Sequence, residues 1–296
     1  MFTGLSAFPL TPLRDDAVDH DALAAIVRRL VAAGVDSVTV LGSTGSYAYL
    51  DRAERQAAIA TAVEHAGGVP VFAGVGALRT KDVLEHASDA QDAGARALLV
   101  APVSYQPLTA ADVLGLFTDV VEHADLPVIV YDNPGTTRFA FDDALYARLA
   151  DLPGIASIKI PGIADAAAAH ERLRELRALL PERITIGISG DAHAARGLAA
   201  GCDAWYSVIA GTIAPPMVAL TRAALAGDHD AAAAASARLQ PLWDLFAEHG
   251  SLRVTAAIAE HLGMATRSCL PRPILGLDDE QRRRVHAVVA ELELEP

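Results

Sequence analysis

The sequence predicts a (β/α)8 TIM barrel followed by a C-terminal appendage of about three helices. Through the first 226 residues, eight short β-rich runs alternate with longer amphipathic stretches, which is the order of elements in a barrel of parallel strands. Several amphipathic stretches end in glycine just before the next run, as at Gly34 and Gly94, where glycine supplies the left-handed C-cap of a helix. Hydrophobic residues form 52% of the chain and charged residues 21%, so a large folded core is expected.

The strands and helices of the barrel are predicted in order along the chain. The strand candidates are Gly4–Phe8, Ser37–Leu41, Val69–Val75, Ala97–Ala101, Pro127–Tyr131, Ile155–Ile160, Ile184–Ser189 and Ala204–Val208. The amphipathic stretches between them include Asp19–Ala33, Asp51–Ala66, Thr80–Ala93, Thr109–His123 and Asp165–Leu180. A doubly wound open sheet is the competing interpretation. It usually has fewer strands, and no Gly-x-Gly-x-x-Gly phosphate loop follows the first run, so we favour the closed barrel.

Two regions are expected, a catalytic barrel over residues 1–226 and a helical extension over residues 227–296. The extension is predicted to hold helices at Asp228–His249, Leu252–Leu262 and Asp278–Leu292. Pro271 and Pro273 mark a loop before the last of them. Helices that follow a barrel can pack against it or form a contact between subunits.

Charge and composition exclude several classes of function. The formal net charge of −13 argues against nucleic-acid or anionic-membrane partners. No apolar run reaches the ~18 residues that a membrane helix needs, and the first residues lack the basic stretch of a secretion signal, so a cytoplasmic location is expected. Cys202 and Cys269 are the only cysteines, and the ten histidines form no His-x-His or His-x-x-x-His pair. Neither a disulfide framework nor a metal site is therefore expected.

Lys159 stands out because it is one of two lysines, the other being Lys81 in a polar stretch, while arginine supplies the remaining long cations. Lys159 lies in the apolar run Ile155–Ile160. An amine can lose its proton and attack a carbonyl group, whereas a guanidinium effectively cannot. A buried lysine stem whose ammonium group reaches water is the structural alternative. The position favours chemistry that arginine could not perform.

Four polar features are predicted to meet at one end of the barrel. Lys159 is near the end of the sixth run and Tyr131 ends the fifth, while Gly42–Gly45 follow the second and Ser189 follows the seventh. The C-terminal ends of the strands form the functional face of such barrels. The sequence therefore predicts that these features line one mouth.

Each of these features also has a purely structural interpretation. Tyr131 can simply find a hydrogen-bond partner at the barrel end, and Gly42–Gly45 can be only a turn. Asn133–Gly135 is most simply a turn. For Asp191 we favour a cap of the helix that follows it, where its carboxylate would face the helix dipole.

Taken together, the features predict Schiff-base chemistry. A neutral lysine that attacks a ketone gives a carbinolamine and then a protonated imine, which can accept electrons from the neighbouring carbon. An apolar strand lowers the pKa of the amine, and the Tyr131 hydroxyl on the adjacent strand is suited to shuttle protons. The backbone amides of Ser43 and Thr44 can hold the carboxylate of a 2-oxo acid. This chemistry requires no cofactor.

With these motifs in view, the chain resembles the dihydrodipicolinate synthase / N-acetylneuraminate lyase family of class I, pyruvate-dependent Schiff-base aldolases. The likeness covers almost the whole chain, and its motifs run in the same order. They are Phe8–Pro12, Gly42–Gly45, Tyr131–Pro134, Lys159, Ser189–Asp191 and the region from Ser207 to Ala210.

The resemblance implies roles for individual residues. It implies that Lys159 forms the Schiff base with pyruvate, that Tyr131 shuttles protons, and that Ser43 and Thr44 bind the carboxylate, with the Thr44 hydroxyl also relaying protons. Members of the family are usually homotetramers built as dimers of dimers. Further candidates for contact with the 2-oxo acid or the aldehyde are Gly45, Thr136, Arg138 and Ser189.

The sequence departs from the family where the second substrate would be chosen. Ser46 replaces a common glutamate, and Thr136 stands where the synthase has an arginine that grips the carboxylate of its aldehyde, with Arg138 two residues further on. Val103 and Ser104 occupy the positions of a tyrosine pair, and Tyr105 comes one place late. Activation of pyruvate is therefore better supported than the identity of the aldehyde.

Three functions are compatible with these residues. The first is a metal-independent class I aldolase or lyase that joins pyruvate or another 2-oxo acid to an aldehyde, or cleaves such a product. The second is an authentic 4-hydroxy-tetrahydrodipicolinate synthase, acting on pyruvate and aspartate semialdehyde. The third is a non-catalytic protein that binds 2-oxo acids on the same fold. A metal-dependent aldolase is disfavoured because no His, Asp or Glu ligand cluster falls at the strand ends.

Overall fold

Eight parallel strands close into a barrel in the computed structural model, which describes residues 1–295. The barrel strands are β1 (Gly4–Ala7), β4 (Ser37–Val40), β5 (Val71–Gly74), β6 (Ala97–Val100), β7 (Val128–Tyr131), β8 (Ile155–Ile160), β9 (Thr185–Ile188) and β10 (Ala204–Ser207), while β2 (Leu13–Arg14) and β3 (Ala17–Val18) form a separate sheet. The barrel order is β1-β10-β9-β8-β7-β6-β5-β4, and β4 pairs with β1 to close the ring. The predicted fold class is confirmed, and each predicted strand overlaps a barrel strand with ends that differ by at most two residues.

Helices surround the barrel and continue past it. They are α1 (His20–Ala33), α2 (Arg52–His65), α3 (Thr80–Asp92), α4 (Ala110–His123), α5 (Pro134–Thr137), α6 (Asp143–Ala150), α7 (Ala166–Leu179), α8 (Ala194–Ala199), α9 (Pro215–Leu225), α10 (His229–Arg238), α11 (Gln240–His249), α12 (Ser251–His261) and α13 (Asp279–Glu291). None of the helices within residues 1–295 has the length and apolar character to cross a membrane.

The helical extension differs from its prediction in one place. The stretch Asp228–His249 is not one helix but two, α10 and α11, so four helices follow the barrel rather than about three. Pro241 lies in the first turn of α11. Since proline has no N–H group and its ring clashes with the carbonyl four residues earlier, a continuous helix is interrupted just before it, at Leu239. The domain division at residues 226 and 227 stays a prediction, and it falls between the end of α9 and the start of α10.

Two short elements were not predicted. Strands β2 and β3 form a small antiparallel hairpin whose two loop residues, Asp15 and Asp16, both have positive φ. This is the geometry of a tight hairpin turn, which usually carries glycine or asparagine, and so Asp-Asp gives a weak signal. The turn predicted at Asn133–Gly135 is the start of the single-turn helix α5, which has Pro134 at its N-terminus.

Two hydrophobic clusters fill the protein. The larger one lies between the strands and the surrounding helices. The smaller one comprises Phe8, Phe72, Ala97, Leu99, Ala101, Ile129, Tyr131, Ala204 and Tyr206. Because strand residues alternate between the two faces of the sheet, the members of the smaller cluster fill the barrel interior. The buried hydroxyl of Tyr206 has a hydrogen-bond partner in Ser157, whose hydroxyl lies 2.8 Å away.

A glycine makes room for the Tyr206 ring. A Cβ atom added at Gly187 would lie 2.2 Å from Cε2 of Tyr206. Gly187 is the register partner of Lys159 on β8 and of Ala204 on β10. The missing side chain thus allows an aromatic ring to lie inside the barrel next to the strand that carries Lys159.

We predict that Gly187→Ala destabilises the protein by about 1–3 kcal/mol, because overpacking a filled core forces side chains and backbone to shift. Urea unfolding measures the change. The matched control is Gly115→Ala within α4, where the added Cβ meets no atom within 4 Å. That change should leave stability unaltered or raise it by up to ~1 kcal/mol, since alanine is the better helix former. Equal midpoints for the two variants would contradict the packing argument.

Candidate active site

Lys159 and Tyr131 are paired across neighbouring strands. Tyr131 on β7 is the register partner of Lys159 on β8, so both side chains point to the same face of the sheet at the mouth of the barrel. Lys159 is buried, with 3% of its surface exposed. Its Nζ atom lies 3.8 Å from the ring centroid of Phe8, 4.2 Å from that of Tyr131 and 5.7 Å from that of Tyr206. Three aromatic rings therefore enclose the amine.

This enclosure changes the ionisation of the amine. Burial lowers the pKa of Lys159 below its ordinary value of 10.5, while Tyr131 and Asp191 act in the opposite direction. Burial dominates because an ammonium ion loses its hydration in the barrel interior, whereas the neutral amine loses little. A larger fraction of Lys159 is thus neutral at a given pH than of a solvated lysine, and only the neutral form of an amine can act as a nucleophile.

The hydroxyl of Tyr131 is fixed by two polar neighbours. The Nδ2 group of Asn133 donates a hydrogen bond to it over 2.8 Å, and the Ser43 hydroxyl lies 3.1 Å away. Asn133 is two residues beyond Tyr131, and Ser43 comes from the turn after β4 on the other side of the mouth. The phenol oxygen therefore accepts a hydrogen bond from Asn133, while its own proton can be shared with the hydroxyl of Ser43.

The turn after β4 offers free donors next to this hydroxyl. Within residues 1–295, the backbone N–H groups of Ser43 and Thr44 take no part in a protein hydrogen bond. Such donors can bind a carboxylate. Two glycines allow the turn, since a Cβ atom at Gly42 would lie 2.6 Å from the Phe8 ring and one at Gly45 would lie 2.8 Å from the backbone nitrogen of Leu41. Gly45 thus shapes the turn.

The sequence resemblance predicts a proton relay through the Thr44 hydroxyl, but the hydroxyl of Ser43 is better placed for it. Thr44 is buried and lines the cavity, but the hydroxyl that contacts Tyr131 belongs to Ser43. The role of Thr44 as a relay stays a prediction, and the geometry favours Ser43 for it.

A cavity of about 720 Å³ opens above the amine. Ser43, Thr44, Tyr131, Thr136, Lys159 and Ser189 all line it, so the structure brings together most of the residues selected from the sequence. Ser189 is held by a 2.8 Å hydrogen bond from its hydroxyl to the carbonyl of Ile160. The helical extension also contributes, through Gly250, Ser251, Leu252 and Ile274.

Arg138 is not part of this cavity wall. It is exposed, and it ends α5 with a left-handed backbone conformation at φ 57°. Thr136, two residues earlier, is exposed but does line the cavity. The structure therefore does not support the expectation that Arg138 contacts the substrate, because this residue is exposed and lies outside the cavity wall.

Asp191 does not cap its own helix, so that prediction was wrong. One carboxylate oxygen accepts hydrogen bonds from the indole of Trp205, the hydroxyl of Ser207 and the backbone of Val208, and the other accepts one from the backbone of Ile209. The carboxylate therefore holds the end of β10 and the turn that follows it. Burial raises the pKa of Asp191, although these hydrogen bonds oppose the shift.

Sequence reasoning missed several residues of the site. Phe8 and Tyr206 enclose the amine, Asn133 orients Tyr131, and Tyr47 lines the cavity. Phe8 lies within a recognised motif, but the motif predicts no role for its ring. The alternation of β10 could have pointed Tyr206 inward, whereas nothing local shows that Tyr47 faces the mouth.

Comparison with known proteins identifies the relatives of this chain. A model of the dihydrodipicolinate synthetase family matches residues 1–292. A 4-hydroxy-tetrahydrodipicolinate synthase of Methylococcus capsulatus is 35% identical over 256 residues, 86% of each chain. One from Halorhodospira halophila is 32% identical over 292 residues, 96% of this chain and 95% of the relative. A crystal structure of dihydrodipicolinate synthase from Agrobacterium tumefaciens is 47% identical, with a TM-score of 0.95 over 98% of each chain.

The buried amine leads to a prediction about pH. The rate at which a carbonyl compound forms an imine with Lys159 should rise with pH and level off with a midpoint below 10.5, because burial lowers the pKa of this ammonium. Stopped-flow trapping with pyruvate over a pH series measures the midpoint. A midpoint at or above 10.5 would mean that the amine is solvated like an ordinary lysine.

Proposed function

The chain belongs to the dihydrodipicolinate synthetase family, whose members are metal-independent Schiff-base lyases that use pyruvate, and from this premise we propose that Lys159 forms the imine in a pyruvate-dependent class I aldolase. The observation that carries the proposal is the buried amine of Lys159, enclosed by three aromatic rings beside the fixed hydroxyl of Tyr131. The reaction joins pyruvate or another 2-oxo acid to an aldehyde, or cleaves such a product.

The chemistry begins with addition of the amine to the ketone. The lone pair of Lys159 Nζ forms a bond to the carbonyl carbon, and the oxygen takes a proton to give the carbinolamine. Loss of water then gives the iminium ion. We assign the proton transfers to Tyr131, whose hydroxyl lies 3.1 Å from that of Ser43, which would relay protons to and from it.

The iminium ion then makes the methyl carbon reactive. A proton leaves this carbon, and the electrons of the broken C–H bond form an enamine. The enamine carbon attacks the aldehyde carbon, the carbonyl electrons move to the aldehyde oxygen, and that oxygen takes a proton. Water finally hydrolyses the imine and releases Lys159. Cleavage of a product follows the same steps in reverse.

The carboxylate of the 2-oxo acid is assigned to the turn after β4. The free backbone N–H groups of Ser43 and Thr44 lie beside Tyr131 and therefore beside the paired Lys159. Neutral donors can hold the carboxylate without adding a positive charge that would lower the pKa of the amine further.

A second candidate is the authentic synthase, which acts on pyruvate and aspartate semialdehyde. It is favoured by the curated relatives, which carry the name 4-hydroxy-tetrahydrodipicolinate synthase at 32% and 35% identity. Against it stands the composition of the cavity wall. Among the lining residues within positions 1–295, Lys159 is the one charged side chain, so a second carboxylate would find hydroxyl groups rather than a guanidinium.

The oligomeric state is also a proposal. We propose the homotetramer that is usual in the family. Its support from the surface is that Leu78 and Tyr105, on the loops after β5 and β6, are 66% and 87% exposed, and contact with another subunit would remove these side chains from water.

Trapping of the imine tests the proposed nucleophile. Incubation with pyruvate followed by borohydride should add one reduced pyruvate to the peptide that contains Lys159, because the reduced imine is a stable secondary amine. Peptide mass spectrometry locates the adduct. Lys159→Arg should abolish it, since a guanidinium does not form the imine, whereas the matched control Lys81→Arg should retain it. An adduct that persists in Lys159→Arg would overturn the assignment.

Competition between two aldehydes tests the second substrate. Because hydroxyl groups line the acceptor side, we expect glyceraldehyde to be used with a higher kcat/KM than aspartate semialdehyde. Thr136→Arg should raise kcat/KM for aspartate semialdehyde by about tenfold, as a charged hydrogen bond to a carboxylate contributes ~1.5–3 kcal/mol. Efficient turnover of aspartate semialdehyde by the unaltered protein would instead favour the authentic synthase.

A further inference from the structure

Tyr47 forms part of the cavity wall directly beyond the Gly42–Gly45 turn. It begins a short 3₁₀ turn, Tyr47–Tyr49, and the residue before it, Ser46, has a left-handed backbone conformation at φ 54°. A left-handed serine is uncommon, and here it redirects the chain so that Tyr47 lies in the wall of the cavity that contains Lys159.

The ring of Tyr47 is closely surrounded. A Cβ atom added at Gly76 would lie 3.2 Å from Cε2 of Tyr47 and 3.2 Å from a methyl group of Val103. The absence of a side chain at Gly76 therefore makes room for this ring. Positions 76 and 103 lie on the loops after β5 and β6, so three neighbouring loops fix the place of one phenol.

A buried arginine also lies against this ring. The Cζ atom of Arg55 is 5.4 Å from the ring centroid of Tyr47, within the range of a cation–π contact. Its two terminal nitrogens donate hydrogen bonds to the carbonyls of Gly74 and Gly76, over 3.0 and 3.2 Å. Within residues 1–295, its Nε atom has no hydrogen-bond partner.

Arg55 carries a positive charge that no direct salt bridge neutralises in the described part of the chain. Burial lowers the pKa of Arg55 to about 10, and Tyr47 and Asp89 partly oppose this shift. A pKa of that size leaves the guanidinium charged near neutral pH. A buried cation costs free energy unless it is compensated, and here the compensation comes from the Gly74 and Gly76 carbonyls and the ring of Tyr47.

The hydroxyl of Tyr47 is kept protonated, so it can donate a hydrogen bond. Burial raises the pKa of Tyr47, Tyr131 raises it further, and Arg55 lowers it. Tyr47 therefore stays protonated near neutral pH, and it lies close enough to Tyr131 for the two phenols to influence each other. A neutral phenol polarised by a nearby cation is a good hydrogen-bond donor to an oxygen that gains negative charge.

Resting on the function proposed above, we propose that Tyr47 donates a hydrogen bond to the carbonyl oxygen of the acceptor aldehyde, and that Arg55 positions Tyr47 for this contact. As the enamine carbon forms the new C–C bond, the carbonyl electrons move to that oxygen, which takes its proton from Tyr131. Tyr47 keeps its own proton throughout. In the cleavage direction, the same contact orients the hydroxyl group that becomes the aldehyde oxygen.

The contact separates the two halves of the reaction. Tyr47 acts on the aldehyde, so it should affect C–C bond formation but not formation of the pyruvate imine. Lys159 and Tyr131 act in both halves. This division allows failure of the contact to be distinguished from failure of the Schiff-base mechanism itself.

The test compares Tyr47→Phe with Tyr49→Phe in the full-length protein. Tyr49 belongs to the same turn and touches the same cavity, but it is 51% exposed at the rim and makes no cation–π contact with Arg55 among the described residues, so it is a matched control. With pyruvate and either glyceraldehyde or aspartate semialdehyde, whichever the unaltered protein uses faster, Tyr47→Phe should lower kcat by about 10²-fold, the usual effect of losing one such donor. Tyr49→Phe should change it by less than about twofold, as an exposed position usually does.

The half-reaction is measured in the same samples. Borohydride trapping of the pyruvate imine should proceed in Tyr47→Phe at the unaltered rate. A normal imine with a normal kcat in Tyr47→Phe would overturn the proposal, and so would the absence of product from either aldehyde with the unaltered protein. If the unaltered protein forms no imine with pyruvate, that result would instead count against the Schiff-base function.

A double-mutant cycle tests the positioning role of Arg55. Arg55→Lys retains the charge, but a lysine cannot reproduce the two separate hydrogen bonds that the guanidinium donates to the Gly74 and Gly76 carbonyls. We expect it to lower kcat about tenfold on its own and to have less than a twofold effect when Tyr47→Phe is already present, since the two act through one contact. Equal effects in both backgrounds would show that Arg55 has only a structural role.

Discussion

The site depends on one physical constraint, which is that the amine of Lys159 lies in the barrel interior without water around it. The rings of Phe8, Tyr131 and Tyr206 surround its nitrogen, and this loss of hydration lowers the pKa of the ammonium. The same aromatic faces attract whatever positive charge remains on it, so the protonated form and the iminium ion that would follow are both tolerated. A solvated lysine would have neither the lowered pKa nor the aromatic faces around its nitrogen.

Small residues create the space that this arrangement requires. Gly187 leaves room for the Tyr206 ring and Gly42 for Phe8, while Gly76 leaves room for Tyr47. Each of these glycines comes from a different part of the chain, and each is matched to an aromatic ring on a neighbouring element. The site is thus built from rings packed against missing side chains, and this close packing keeps the hydroxyl groups at fixed distances from the amine.

The sequence predicted the fold well, because alternation of strands and amphipathic helices is a local pattern that is repeated eight times. It also predicted Lys159 and Tyr131, since a strand end in such a barrel faces the mouth. Contacts between distant segments were harder to predict. The hydrogen bond between Ser43 and Tyr131 spans 88 positions, and the four hydrogen bonds to Asp191 come from β10 and the turn after it. Spacing along the chain carries no signal for either.

The measurement that most directly tests the central role of the buried amine is exchange of the pyruvate methyl protons in heavy water, followed by NMR. This exchange requires both the imine and the enamine, but no aldehyde. We expect the unaltered protein to exchange these protons rapidly and Lys159→Arg to exchange them no faster than buffer. If pyruvate binds but its methyl protons do not exchange, the protein is a binding protein on the same fold, and a catalytic role for the amine of Lys159 is contradicted.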